Sequence, residues 1–128
     1  MRYFGLDYGA KRIGIAVSDE GGGFAFPKKT IPTDGALQAI VGMIEKENIA
    51  AVVIGDTRAA NGSENPVTFE ADRFAEELGE KITIPIHRAW EAWSSVEAGR
   101  FAPKGVHNDA AAAAIILQRF LDSRTKNA

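Results

Sequence analysis

Six consecutive residues, Ala50-Ala51-Val52-Val53-Ile54-Gly55, carry no polar side chain. A strand with one face in water alternates apolar and polar positions, so an unbroken run reads as a strand covered on both faces. Its neighbours in sequence supply the cover. Ala36, Leu37, Ala39, Ile40, Met43 and Ile44 follow helical spacing, with Asp34 expected as the N-cap. Val67, Glu70/Ala71, Phe74 and Leu78 form a second helical stripe, opened by Pro66 and expected to end at Gly79. A strand between two such helices belongs in a layered α/β fold.

The rest of the chain fills out that architecture. Residues 2–7 and 12–18 read as strands joined by a turn at Gly9, and a third is expected near 24–31 after Gly21-Gly22-Gly23. These three are close enough in sequence to pair as antiparallel neighbours. Residues 82–87 read as a further short strand, 94–101 as a short helix, and a last helix opens at Asn108 or Asp109 with Ala112, Ile115, Ile116, Phe120 and Leu121 turned inward. The expected order is β-β-β-α-β-α-β-α-α. With 128 residues and 45% hydrophobic content, a single domain spanning 1–128 is expected.

Composition removes some chemistries. The chain has no cysteine, which excludes disulfides, thiolate metal sites and a cysteine nucleophile, and is compatible with a reducing, cytoplasmic setting. No apolar run approaches the roughly 18 residues of a membrane span. The net charge of −2 is unlike that of a dedicated nucleic-acid binder, but it is unevenly spread. Glu64, Glu70, Asp72, Glu76, Glu77 and Glu80 face Arg73 alone, whereas Arg100, Lys104, Arg119, Arg124 and Lys126 outnumber Asp109 and Asp122.

Three acids stand where ligands gather in such sheets, at the carboxyl ends of strands. Asp7 closes the first strand, Glu91 follows the last, and Asp109 opens the final helix. Each has an ordinary alternative: a turn former, a solvated loop acid, and a helix N-terminal acid favoured by the macrodipole. Brought together, they would repel unless a cation neutralised them, and oxygen ligands of this kind suit Mg²⁺ or Mn²⁺. His87 is expected at a strand end and His107 in a loop.

Four blocks carry a specific likeness. DYGAKRIGIAVSD at 7–19, NGSE at 61–64, WEAWSSVEA at 90–98 and DAAAAAIILQRFLD at 109–122 resemble, in order, the motifs of the YqgF family, RNase H-like proteins described as pre-16S rRNA nucleases and Holliday-junction resolvases. The resemblance implies an RNase H-like fold with a five-stranded mixed sheet flanked by helices. It implies that Asp7, Glu91 and Asp109 bind Mg²⁺ or Mn²⁺ and support hydrolysis of structured RNA or branched DNA. Lys11, Arg12, Asn61, Gly62, Ser63, Arg100 and Lys104 would then contact nucleic acid. A symmetric homodimer suits a resolvase, although no dimer face is legible.

The chain departs from the family pattern at Ala92, where Arg is usual, at Asp56-Thr57, where Leu-Pro is usual, and in a compact 92–108 segment. These departures leave room for a non-catalytic or weakened nucleic-acid-binding member of the fold. The Asp7-Tyr8-Gly9 turn also fits an actin- or Hsp70-like nucleotide-binding module, although such proteins need two domains of this kind.

Overall fold

The computed structural model describes residues 1–56, 66–90 and 109–126. They form five strands and three helices: β1 (Arg2–Tyr8), β2 (Arg12–Ser18), β3 (Ala25–Pro32), α1 (Ala36–Glu47), β4 (Ile49–Asp56), α2 (Pro66–Lys81), β5 (Ile86–Trp90) and α3 (Asp109–Lys126). The strands make one sheet in the order β3-β2-β1-β4-β5. β1–β2 and β2–β3 are antiparallel, whereas β1–β4 and β4–β5 are parallel. This is the mixed five-stranded sheet expected from the sequence. The expected short helix at 94–101 lies outside the described residues.

Strand side chains alternate between the two faces, and each face has its own core. Phe4, Leu6, Ile13, Ile15, Val52 and Ile54 pack with Ile40 and Ile44 of α1 and Phe74 and Leu78 of α2. Tyr3, Ala16, Ala51 and Val53 pack with Ala113, Ile116, Leu117 and Leu121 of α3. β4 contributes to both, which is why its sequence never alternates. On the α3 face the β1–β2 floor is small: Gly5 pairs with Ala16, and Asp7 with Gly14. A Cβ on Gly5 would lie 2.7 Å from Leu117 Cβ and 2.8 Å from the Ala113 carbonyl oxygen. The helix therefore rests almost on the sheet backbone, and its alanine-rich first half suits that close approach.

Local differences from the sequence reading have identifiable causes. Asp34 does not cap α1; Gly35 does, at φ 80°, with no side-chain cap bond. Thr33 takes over instead, its carbonyl accepting from Ala36 N–H at 3.1 Å while its hydroxyl donates to the Gly9 carbonyl at 2.7 Å. α2 runs past Gly79 to Lys81, because Leu78 is fully buried and an interior glycine costs a helix only about 1 kcal/mol. That extension moves β5 from the expected 82–87 to Ile86–Trp90. Pro85 has no N–H for a ladder, and only its carbonyl engages, accepting from Val52 N–H at 3.0 Å. His87 consequently lies within β5, its ring 4.9 Å from that of Phe120. In α3, Ala113 and Leu117 are buried while Ile115 and Phe120 are half-buried, since residues 110–117 are apolar on every side and their period is ambiguous.

The β2–β3 connection is held by Asp19. Its carboxylate accepts from Gly23 N–H at 2.9 Å and Phe24 N–H at 3.1 Å. The Phe24 and then the Gly23 bond hold its pKa below the ordinary 3.8. A depressed carboxylate stabilises the fold above its unfolded pKa, and that contribution disappears as pH falls through the folded value. NMR titration of the Asp19 side-chain carbon is expected to give a midpoint below 3.8. A midpoint at or above that value would mean the turn is not held this way. Gln118 of α3 ties the same turn to the helix, accepting from Ala25 N–H and donating to the Gly23 carbonyl, each at 2.9 Å.

Candidate active site

Parallel pairing brings the carboxyl ends of β1, β4 and β5 to one edge of the sheet. Leu6 is level with Ile54, Gly55 with Ala89, and Asp56 with Trp90. Asp7 stands at that edge, on the strand face it shares with Tyr3 and Gly5, the face that α3 covers. Tyr8 turns to the opposite face, its ring 5.4 Å from Phe74. Burial first, then the charges of Glu70 and Glu77, raise the Tyr8 hydroxyl above its ordinary value and keep it protonated.

Asp109 arrives at the same place from the far end of the chain. A Cβ built on Gly14 would lie 1.9 Å from the Asp109 carbonyl oxygen, 2.0 Å from its carbonyl carbon and 2.6 Å from Ala110 N. Gly14 is the antiparallel partner of Asp7. Directly opposed residues in such a pair have Cα atoms about 4.5–5.5 Å apart. The first turn of α3 therefore sits on the residue beside Asp7, and two acids separated by a hundred positions share one corner of the sheet. Asp109 Oδ2 is buried there and has no hydrogen-bond partner among the described residues. A buried carboxylate oxygen is costly without a donor or a cation. With Asp7 on the strand position paired with Gly14, a divalent cation is a group that suits these oxygen donors.

The turn between β1 and β2 projects from the same edge. Lys11 is exposed and Arg12 half-buried. Thr33 N–H donates to the Lys11 carbonyl at 3.0 Å, and with the Thr33–Gly9 bond it pins the turn that carries both side chains. Glu91, Asn61, Gly62, Ser63, Arg100 and Lys104 lie outside the described residues, as does His107. Glu91 directly follows Trp90, the last residue of β5. Among the described residues the backbone positions of Asp7 and Asp109 come to one corner of the sheet, and no cluster of three acidic or histidine side chains forms. The sequence reading missed Gly5 and Gly14. The available signal was glycine inside a strand with no turn around it, which marks close approach by another backbone.

Comparison with known proteins decides the family. The family described as "RuvX: Holliday junction resolvase" matches residues 1–123. The chain belongs to this family. Among its relatives, the "Putative pre-16S rRNA nuclease" of Gloeobacter violaceus is 41% identical, over 94% of this chain and 83% of that protein. The protein of the same description from Oleidesulfovibrio alaskensis is 35% identical, over 95% and 92%. In structure, the chain is similar to the fowlpox virus resolvase bound to Holliday junction DNA, with a TM-score of 0.61 at 10% identity over 97% of this chain and 99% of that one. It is also similar to Thermus thermophilus RuvC in complex with a Holliday junction, with a TM-score of 0.59 at 16% identity over 98% and 96%. At such identities these neighbours establish the RNase H-like fold. RuvX membership places the chain among nucleases, hydrolases of phosphodiester bonds.

Proposed function

We propose that this RuvX chain is a divalent-metal-dependent endonuclease of structured nucleic acid, acting in the cytoplasm, with Asp7, Glu91 and Asp109 as its metal-binding acids. The observation that carries the reading is the buried Asp109 Oδ2, without a hydrogen-bond partner among the described residues, beside the strand pair Asp7–Gly14. Asp7 is held by a central strand and Asp109 by a helix seated on the sheet, so neither carboxylate needs to be ordered when substrate arrives. Glu91 would join them from the end of β5. Mg²⁺ or Mn²⁺ bound by these acids would supply Lewis-acid stabilisation of charge on the phosphate and a more acidic bound water. Lys11 and Arg12, on the pinned turn, would meet the phosphate backbone and set the register of the strand to be cut. Asn61, Gly62, Ser63, Arg100 and Lys104 are proposed as further contacts to that backbone.

The substrate reading follows the relatives. Those at 35% and 41% identity carry the description "Putative pre-16S rRNA nuclease", which favours the 5′ end of a structured rRNA precursor. The family description favours a four-way DNA junction as the second reading. Both are assayed with one preparation: labelled rRNA precursor and labelled junction, each with Mg²⁺ or Mn²⁺, then with excess chelator. Cleavage of at least one substrate is expected, lost on chelation and restored by added metal. Cleavage that survives chelation would remove the metal from the reading, and binding without turnover would make the chain a non-catalytic member of the fold.

A further inference from the structure

The position of Gly14 is not explained by the needs of a strand. Glycine weakens a strand interior, and the flanking Ile13 and Ile15 are fully buried strand formers. No positive φ requires glycine there, since among the described glycines only Gly22 and Gly35 have one. What does require it is the Asp109 carbonyl, 1.9 Å from where a Cβ would stand. The atom that would clash belongs to backbone, so it has no rotamer by which to retreat. Any side chain at 14 has to lift or tilt the first turn of α3, and that turn carries the Asp109 carboxylate. On the other side, Gly14 is locked in register opposite Asp7. One residue thus touches the carrier of one acid and pairs with the other.

Resting on the metal-dependent reading above, we propose that Gly14 is a positioning residue that sets the spacing of the Asp7 and Asp109 carboxylates and thereby the selectivity of the site for a small divalent ion. Mg²⁺ demands near-ideal octahedral geometry at 2.0–2.1 Å, whereas Ca²⁺ accepts flexible coordination at 2.3–2.6 Å. A displacement of a few tenths of an ångström therefore penalises Mg²⁺ far more than Ca²⁺. Gly5 is the internal comparison. It seats the same helix further along, against Leu117 and Ala113, where no acid is carried.

The test is metal binding by calorimetry and by the rise of Tm with added MgCl₂ or CaCl₂, for wild type, Gly14→Ala and Gly5→Ala. Gly14→Ala is expected to raise the Mg²⁺ concentration for half-saturation at least tenfold and that for Ca²⁺ less than threefold. Gly5→Ala is expected to lower Tm but leave both half-saturations within twofold. A merely structural role would move Tm in both variants and selectivity in neither. Asp109→Glu, which lengthens the carboxylate by one methylene without a clash at 14, probes the spacing should Gly14→Ala fail to fold, and is expected to weaken Mg²⁺ similarly. Unchanged Mg²⁺ affinity in Gly14→Ala or in Asp109→Glu, or equal weakening in Gly5→Ala, would overturn the assignment. A wild type that binds Mg²⁺ yet cleaves nothing would sink the nuclease reading alone; one that binds no Mg²⁺ would sink both.

Discussion

Asp7→Asn is expected to lower the rate of metal-dependent cleavage by about a thousandfold or more, with the fold intact. Metal-ion stabilisation of a phosphoryl transition state is worth several kcal/mol, and each 1.36 kcal/mol is a factor of ten in rate. Asn keeps the size of the side chain and its position on a central strand, paired on one side with Gly14 of β2. What it removes is the negative charge that a hard cation requires. The loss should therefore fall on turnover and on metal affinity together, while thermal unfolding without metal changes little. Single-turnover cleavage of the favoured substrate across a Mg²⁺ titration measures this. A variant with more than a tenth of wild-type activity at saturating Mg²⁺ would show that the metal is held elsewhere.

That prediction could be framed from sequence because Asp7 belongs to a local pattern. An apolar strand ending in an acid, a glycine turn and a second apolar strand specify each other within one short stretch, residues 3–17. Of the same block, Gly9 serves the turn, where a Cβ would meet the Arg12 carbonyl oxygen at 2.7 Å. Ser18 is buried, accepting from Tyr3 N–H at 2.8 Å and donating to the Asp19 carbonyl at 2.9 Å. The motif thus sets Asp7, the proposed metal ligand, in a frame of structural residues. The layered α/β class was legible for a similar reason: the unbroken apolar run of β4 called for cover on both faces. Element ends were less so. The extent of α2 depended on Leu78 and on the block at Pro85, both tertiary matters that residue preference at Gly79 does not register. The inward face of α3 was obscured because five successive alanines have no period to read. The role of Gly14 was illegible for a deeper reason: its partner is an atom of the backbone ninety-five positions away, and no local preference encodes such a contact.

Asp109→Asn is expected to act in opposite directions on stability and activity. Without metal, the wild-type site holds a carboxylate oxygen that is buried and has no partner among the described residues. An unsatisfied buried polar group costs about 1–3 kcal/mol, and more when charged. Asn replaces the charge with a neutral amide that can also donate. Against this, the negative charge in the first turn of α3 interacts favourably with the helix dipole, by about 0.3–1 kcal/mol. The balance favours the variant by about 1 kcal/mol, or about 4 °C in Tm for a domain of this size. Added Mg²⁺ reverses the order, because a ligand stabilises only the protein that binds it. Wild type should climb with Mg²⁺ while Asp109→Asn stays flat, and cleavage by the variant should fall about a thousandfold, as for Asp7. Parallel melting curves of the two proteins across a Mg²⁺ series measure the crossing. A variant less stable than wild type without metal, yet still lifted by Mg²⁺, would mean that Asp109 serves the fold and not the ion. The crossing is the more demanding result, because a residue kept for structure has no reason to cost stability when the metal is absent and repay it when the metal is bound.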